Sequence, residues 1–513
     1  MNNTPAIIRT LIIYAVIVPL AIWIGYLLTD LDSTNLSTGG ILALVLCIPL
    51  LLRWHHLLLV ASWNLVMMMF FLPGNLLLWL PMTMLSLLIS ILHRSLNSEA
   101  RFLRAPSITQ SLVCLMAVVY FTAEMTGGIG LKAMGSETAG GKRYIYLLVA
   151  ILGYFAMTAR RIPPNRAGLY IAVFFLGNCS QIIGDLTSYL PGFVFAFFPA
   201  SGYSMDSGMG VATNLRYGGL GIVGQAIFTL MLARYGVRGI FLTGKLGRML
   251  LFFFFSVLVL YGGFRSITMT CVFIFIIQFF MERLHRSNLF PVFIFSGIIA
   301  ATLLIPFANK LPYTFQRSLA FLPLKISNDV RLETAATQGW RLQMWKAVMP
   351  QVPQYLLLGK GYGINATDYS QMGNEAFQNN ISADNWMAAV AGNFHNGPLS
   401  VLINFGAWGA IAVLWFWIAS LRALFDNYRY GDPPLQLVNG VLFALFLAKI
   451  ITFLTVFGSI YSDMNGFVGY IAMSVSLNGG VCRRATATAK AVKQSPVPLP
   501  TRPRPRFQPS FPR

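Results

Sequence analysis

The chain consists of continuous apolar runs separated by short polar loops. Many of these runs approach the roughly 20 residues that a helix needs to cross the hydrocarbon core of a membrane. They lack the short alternating pattern of transmembrane β-strands. The pattern predicts an all-α polytopic membrane protein with about fourteen transmembrane helices. The predicted limits are about 8–28, 39–52, 57–72, 76–92, 107–124, 143–159, 167–187, 218–233, 248–263, 266–281, 288–305, 397–421, 436–455 and 458–477.

Basic side chains gather in alternate loops, after every even-numbered run. By the positive-inside rule these loops are cytoplasmic, so the protein is predicted to be multi-pass with both termini in the cytoplasm. The same rule accounts for the net charge of +21, which in a soluble protein would suggest nucleic acid. We therefore expect membrane lipids as partners and no nucleic acid.

Composition supports the membrane assignment. Hydrophobic residues make up 56% of the chain, charged residues only 10%, and the mean hydropathy is +0.66. A soluble domain of this length would not cover its surface with so few charges. The five cysteines are scattered and form no CxxC pair, so neither a disulfide framework nor a zinc site is expected.

The spans predict four regions. Transmembrane helices 1–11 occupy 1–305, a large outer loop follows over 306–395, and helices 12–14 occupy 396–480. The tail, 481–513, is basic and rich in proline, which predicts a disordered cytoplasmic segment. A loop as long as the one between helices 11 and 12 is usually functional or disordered, and its aromatic residues and helical pattern favour a folded one.

One helical segment of this loop is amphipathic. Trp340, Met344, Trp345 and Val348 share a helical face. This pattern favours a helix at the membrane interface, with the tryptophans as anchors.

His395 is the only one of the five histidines that falls on the predicted outer face. Asn396 is a suitable N-cap and Pro398 suits the first turn of the helix that follows. The imidazole then lies near the positive end of the helix dipole, which favours a neutral ring and a nearby anion. A neutral histidine beside an anion site suits general-base catalysis, whereas the alternative is a capping-region histidine with no chemical role.

Three arginines on the outer face are candidate anion ligands. Arg265 lies in the tight turn Gly262–Arg265, Arg341 lies in the amphipathic helix, and Arg216 lies in the loop at 188–217. Guanidinium groups bind phosphate oxygens in bidentate fashion. The alternative for Arg341 is that its side chain merely snorkels to the interface.

Several motifs of metal-dependent or hydrolytic enzymes are missing where they would matter. The acidic residues of the large outer loop form no DxD pair, and the sequence contains no P-loop, GxSxG or HExxH. These acidic residues are Asp329, Glu333, Asp368, Glu375 and Asp384. If the protein is an enzyme, we expect arginines rather than a metal to balance the charge of its substrate.

The segment His395–Gly409 resembles a motif of the O-antigen ligase and O-antigen polymerase family of bacterial membrane glycosyltransferases. In that family a histidine and an Asn, Ser or Gln are followed by nine residues and Gly-x-x-Gly. Here His395 and Asn396 are followed by nine residues and then by Gly406-Ala407-Trp408-Gly409.

Two upstream segments extend the resemblance to about residues 250–420. Arg341 with Trp345, Pro350 and the glycine turn Gly359–Gly363 resembles the family's loop segment. Gly263-Phe264-Arg265-Ser266 resembles its Ser-Arg-Gly-like turn, although Phe264 and Ser266 depart from the commonest form.

The resemblance implies a GT-C-like fold and a function in surface polysaccharide biosynthesis, of lipopolysaccharide O-antigen or exopolysaccharide. The donor would be a glycan on undecaprenyl diphosphate, transferred with inversion and without metal or cofactor, at the periplasmic face of the bacterial inner membrane. His395 would activate the acceptor hydroxyl, and Arg265 and Arg341 would bind the diphosphate. Asn396, Gly406 and Gly409 are interpreted as a helix-packing motif that fixes the direction of the histidine.

Two questions stay open at the level of sequence. Lipid A-core, a protein and another lipid-linked glycan are alternative acceptors, so a ligase and a polymerase are not separated. The alternative from another class is a polysaccharide transporter or lipid-linked sugar flippase. It would use charges near the middle of the membrane, for which Glu124, Asp185 and Lys449 are candidates.

Overall fold

A computed structural model describes residues 48–97, 102–128, 140–199, 217–364, 366–378 and 382–483, with isolated positions between 18 and 42. Most of the first and second predicted spans, nearly all of the tail and Arg216 lie outside the described residues.

The described chain is almost entirely helical, apart from one short β-hairpin. The helices are α1 Ile48–Ser62, α2 Trp79–Leu96, α3 Pro106–Thr126, α4 Gly141–Met157, α5 Ala167–Leu176, α6 Gln181–Asp185, α7 Val194–Phe197, α8 Gly218–Phe241, α9 Leu246–Tyr261, α10 Arg265–Met281, α11 Leu289–Phe307, α12 Tyr313–Ser318, α13 Asn328–Val348, α14 Val352–Tyr355, α15 Ala366–Gln378, α16 Ala383–Val390, α17 Gly397–Tyr430, α18 Gln436–Thr455 and α19 Ile460–Asn478.

Seven helical stretches in the described ranges are long and apolar enough to cross a membrane. They are Trp79–Leu96, Pro106–Thr126, Pro164–Asp185, Gly218–Phe241, Phe290–Lys310, Gly397–Tyr430 and Pro433–Thr455. Two shorter apolar helices, α9 and α10, accompany them. The prediction of a helical polytopic membrane protein is confirmed.

From the fourth predicted span onward, the helices begin close to the predicted limits, and α18 coincides with 436–455. The seventh run is interrupted: a 3₁₀ turn, Gly177–Ser180, separates α5 from α6. Helices α8 and α17 continue beyond the predicted ends.

The third predicted span, 57–72, is wrong. Helix α1 ends at Ser62, and the apolar residues after it form a hairpin in which β1 (Met68–Met69) pairs antiparallel with β2 (Leu76–Leu77). The turn between the strands has positive φ at Gly74 and Asn75, of 81° and 49°. The error has a physical reason, because an uninterrupted apolar run fits a buried strand as well as a helix.

Residues predicted as the loop after the second span lie inside α1 instead. His55 and His56 are both buried there. His55 Nδ1 is 2.9 Å from the Ser86 hydroxyl, and His56 Nε2 is 2.8 Å from the Met157 carbonyl. These histidines join α1 to α2 and α4, which is a structural role.

The main hydrophobic core lies between the long helices. Helix α4 packs on α19, α17 packs on α3 and α18, and α8 and α10 close the other side of α18. Its largest buried side chains include Trp63, Phe416, Phe446 and Phe467.

A second, smaller core forms within the segment predicted as the large loop. Its buried members are Met344, Val348, Ala376, Trp386, Ala389, Phe394, Leu399 and Ile403. They come from α13, α15 and α16, from the connection before α17 (Phe394) and from the first two turns of α17. We call this part of the structure the loop core.

Helix α17 is interrupted at Gly406, where φ is 64° and ψ is −163°. The backbone N–H groups of Lys360 and Gly361 donate to α17 carbonyls just before the interruption, at 2.6 and 3.0 Å. The N–H of Ala407 in turn donates to the Leu356 carbonyl at 2.6 Å. The glycine turn therefore supplies the hydrogen bonds that the broken helix lacks.

Candidate active site

His395 lies in a short segment, Ala391–Asn396, that we call the histidine loop. His395 has a φ of 49°, in the left-handed region that few residues with a side chain adopt. Its backbone N–H donates to Asn393 Oδ1 at 3.3 Å. Asn396 Oδ1 accepts the N–H of Leu399 at 3.1 Å and caps α17, as the sequence predicts.

Three side chains from three different helices hold the histidine loop. Arg143 of α4 donates to the carbonyl of its first residue, and Asn404 of α17 donates to that of its second at 3.0 Å. Trp345 of α13 donates its indole N–H to the carbonyl of Phe394 at 2.8 Å. These bonds tie α4, α13 and α17 to one loop. They hold His395 in a backbone conformation that would otherwise be costly.

The imidazole of His395 lies between two aromatic rings. Trp340 meets it edge-on at 5.2 Å between centroids, and Phe457 lies at 5.0 Å. The guanidinium of Arg341 lies over the same two rings, 5.5 Å from the centroid of Trp340 and 5.8 Å from that of Phe457. Arg341 and His395 therefore share one aromatic frame.

Burial is the main cause that lowers the pKa of His395, and the charge of Arg341 lowers it further, to about 4. The ring is thus neutral at neutral pH, although the cause differs from the helix dipole that the sequence suggested. Nδ1 is buried and has no hydrogen-bond partner among the described residues. Nε2 is then the nitrogen that can accept a proton from a substrate.

Arg265 is the first residue of α10 and is half-buried. The turn before it is tight: a Cβ at Gly262 would lie 2.8 Å from the Cα of Gly221 in α8. The short helix α12 packs on this turn, and the Ser318 hydroxyl donates to the Leu260 carbonyl at 2.8 Å.

An ion pair between Arg317 of α12 and Glu333 of α13 continues this chain of contacts. The turn that carries Arg265 is thereby connected, through α12, to the helix that carries Arg341. The structure places Arg341 against the aromatic frame of His395, and it connects Arg265 to that frame through α12 and α13.

The interpretation of Trp340 and Trp345 as membrane anchors is wrong. Their helix face packs into the loop core, where Met344 and Val348 are fully buried. Trp345 is hydrogen-bonded to the histidine loop, and Trp340 contacts the His395 ring. The amphipathic pattern does not distinguish a membrane interface from a protein core, because an apolar helix face packs as well on protein as on lipid.

The two motif glycines have different surroundings. A Cβ at Gly406 would lie 2.7 Å from the carbonyl oxygens of Leu356 and Leu357, so Gly406 admits a loop backbone rather than a neighbouring helix. A Cβ at Gly409 would lie 2.3 Å from the Cβ of Phe405, in the turn just before it. The glycines thus shape α17 itself, on the C-terminal side of the histidine.

Two of the three charges that the transporter alternative would use have structural partners. Lys449 forms an ion pair with Asp463 at 2.7 Å. Asp185 accepts the backbone N–H of Leu220 at 2.9 Å. Glu124 is exposed near the end of α3.

Residues 249–414 match a family model described as O-antigen ligase. The match begins in α9, includes Arg265, Arg341 and the histidine loop, and ends in α17 just after the interruption. This segment is similar to the O-antigen ligase family. The resemblance predicted from the sequence is confirmed over nearly the same residues. The match supports a membrane enzyme of polysaccharide biosynthesis with ligase-like glycosyltransferase activity. No curated protein matches the chain.

The sequence did not single out three residues that hold or frame the histidine. Arg143, Asn404 and Phe457 come from separate segments, and only the fold brings them together. A signal existed for Arg143 alone. Lys142 and Arg143 form a basic pair at the predicted outer end of the sixth span, where the positive-inside rule predicts few basic residues.

Proposed function

We propose that this protein transfers a glycan from undecaprenyl diphosphate to an acceptor hydroxyl at the periplasmic face of the bacterial inner membrane. The observation that carries the proposal is the shared aromatic frame of His395 and Arg341. In this frame a neutral imidazole and a guanidinium group contact the same two rings, and both residues belong to the segment that matches the O-antigen ligase model, which supports a base beside a cation.

The proposed reaction is a single displacement. The acceptor hydroxyl oxygen attacks the anomeric carbon of the donor glycan and forms the new C–O bond. The bond from that carbon to the diphosphate oxygen breaks, and undecaprenyl diphosphate leaves with the electron pair. His395 Nε2 takes the hydroxyl proton as general base. Attack opposite to the leaving group inverts the anomeric centre.

Arginines supply the positive charge that the leaving diphosphate requires. Arg341 is held over two rings, so its guanidinium is oriented before the substrate binds. Arg265, at the N-terminus of α10, is the second proposed ligand, and Arg216 is the third. Fixed cations aimed at a developing anion lower the barrier, and in this proposal they do so without a metal or cofactor.

The proposed scaffold has about fourteen spans, a GT-C-like arrangement and cytoplasmic termini. Residues 306–395 then form the periplasmic part, between helices 11 and 12, and 481–513 form a cytoplasmic tail. The alternation of basic loops supports this orientation. The acceptor is lipid A-core, a protein or another lipid-linked glycan.

The test is transfer by purified full-length protein, supplied with a lipid-diphosphate-linked glycan and candidate acceptors. His395→Ala should lower the rate of transfer by about a hundredfold or more at equal protein level. His93→Ala is the matched control, because His93 is exposed in the last turn of α2. Arg341→Ala should in addition weaken donor binding. Unchanged transfer by His395→Ala would rule out the assignment of the base.

A further inference from the structure

A cavity of about 660 Å³ lies beside the histidine loop. Its walls come from the start of α4, from α16, from the histidine loop and from the start of α19. The residues that matter for its chemistry are Lys142, Arg143, Asn393 and Tyr461. The volume is typical of a small-molecule site and larger than a single anion needs.

The described lining of the cavity is cationic. Lys142 and Arg143 both belong to it, and among the side chains that the structure describes it includes no aspartate or glutamate. In the described part of the chain, neither residue forms an ion pair with a carboxylate. Two uncompensated cations on the predicted outer face run against the positive-inside rule, so their placement needs another explanation. An anionic ligand would balance them.

Arg143 is oriented before any ligand binds. Its guanidinium lies 5.2 Å from the centroid of the Tyr461 ring and 5.8 Å from that of the Tyr362 ring. One N–H group is used on the carbonyl of Ala391. A guanidinium held on aromatic faces keeps its other N–H groups in a fixed plane, which suits the oxygens of a phosphate.

The cavity is close to the proposed base. Asn393 lines it and also accepts the backbone N–H of His395. Arg143 of α4 thus contacts the histidine loop, and Arg341 of α13 lies over the two rings that frame His395. A transferase that joins two large glycans at one base needs two substrate sites around that base.

We propose that this cavity binds a phosphate group of the acceptor, while Arg341 and Arg265 serve the donor. This inference rests on the proposed transfer reaction and specifies its second substrate. A phosphate in the acceptor has two sources: the diphosphate of a second lipid-linked glycan, as in a polymerase, or a phosphorylated glycolipid, as in a ligase. In both cases Lys142 and Arg143 bind the phosphate and place a neighbouring sugar hydroxyl near His395 Nε2.

The first experiment measures transfer by full-length Lys142→Gln in lipid nanodiscs. Lys142 is exposed, so its substitution should leave the fold intact. We expect the KM for a phosphate-bearing acceptor to rise about tenfold, as for the loss of a hydrogen bond to a charged group, with the donor KM unchanged. Lys142→Arg should restore the acceptor KM. An unchanged acceptor KM, or a raised donor KM, overturns the proposal.

The matched control is Lys346→Gln, which removes an exposed lysine of α13 that does not line this cavity. It should change neither KM. Acceptor treated with phosphatase should show the same KM with wild-type protein and with Lys142→Gln. A difference that survives phosphate removal would contradict recognition of the phosphate.

A second experiment separates failure of the site from failure of the proposed reaction. Binding of each acceptor, the lipid-diphosphate glycan and the phosphorylated glycolipid, is measured in a His395→Ala background without turnover. Weakening by Lys142→Gln with one acceptor identifies the source of the phosphate. If Lys142→Gln weakens the binding of neither acceptor, the proposed site is overturned. If it weakens binding but wild-type protein transfers no glycan, the proposed reaction is refuted and the site is not.

Discussion

Trp345 donates its indole N–H to the carbonyl of Phe394, the residue immediately before His395, at 2.8 Å. The bond fixes the histidine loop to α13, and α13 also carries Arg341. One helix and one hydrogen bond therefore fix the distance between His395 and Arg341. Small changes in this bond should appear in the rate of transfer.

Trp345→Phe tests that bond, since it removes the donor and keeps an aromatic ring in the loop core. We expect a loss of about 1 kcal/mol in the free energy of unfolding. We expect in addition a drop of about tenfold or more in kcat, because the histidine is no longer held in its orientation.

The control is Trp386→Phe, which removes a similar bond, from Trp386 Nε1 to Glu375 at 3.0 Å, in the same loop core. It should cost similar stability and leave kcat nearly unchanged. Equal losses of kcat in both variants would show that Trp345 acts through stability alone.

The low pKa of His395 predicts an unusual pH profile. A histidine with the ordinary pKa of 6.5 loses its basic form below that value, whereas His395, at about 4, stays neutral well below it. The kcat/KM should therefore stay level from neutral pH to about pH 5 and fall as pH approaches 4. An acidic limb near 6.5 in the same assay would contradict the prediction.

Arg341→Gln should move that limb to higher pH, because the charge of Arg341 is the second cause of the lowered pKa. Burial, the larger cause, remains, so the limb should not return fully to 6.5. Lys346→Gln, in the next turn of α13, serves as the charge control and should leave the limb in place.

Gly406→Ala should be strongly destabilising. The new Cβ would lie 2.7 Å from two carbonyl oxygens, in a backbone conformation with φ of 64°. We expect a cost of about 2 kcal/mol or more, seen as a lower unfolding temperature and less protein in the membrane. Gly339→Ala is the matched control, since a Cβ there meets no atom within 4 Å and α13 is helical at that point. It should be neutral or slightly stabilising.

The ion pair of Lys449 and Asp463 should matter for stability and not for transfer. Lys449→Met leaves a carboxylate without its cation and should cost about 3–5 kcal/mol. Adding Asp463→Asn should recover part of this cost, because the amide oxygen can still accept the N–H of Ser459. The folded fraction of the double variant should transfer glycan at the wild-type rate. A loss of lipid-linked glycan transport across sealed vesicles by the folded double variant would favour the transporter alternative.

Helix positions were predictable where the pattern of apolar and polar residues is compatible with only one kind of secondary structure. Long apolar runs bounded by polar residues gave α18 its full extent, and Asn396 with Pro398 marked the start of α17. The run at 57–72 was ambiguous, because a continuous apolar run is compatible with a buried strand as well as with a helix. Only the turn at Gly74 and Asn75 distinguishes the two.

The candidate site was predictable in part, for a similar reason. His395 and Arg341 stood out by their type and place along the chain, and the fold brings both to one aromatic frame. Phe457 lies in the connection between α18 and α19, and Arg143 lies in α4, so both reach the site only through contacts between distant segments. A single sequence does not show which distant residues meet. Its one indication here is a basic pair, Lys142 and Arg143, at the predicted outer end of a span.

The loop core includes Leu399 and Ile403, which belong to a helix apolar enough to cross the membrane. A fragment that ends before α17 would lack two of its buried side chains and the hydrogen bonds that the glycine turn makes there. We therefore expect the segment 306–395 to depend on the membrane bundle for its fold. Excised in solution, it should expose an apolar edge and aggregate. Grafts between relatives should exchange it together with the first half of α17.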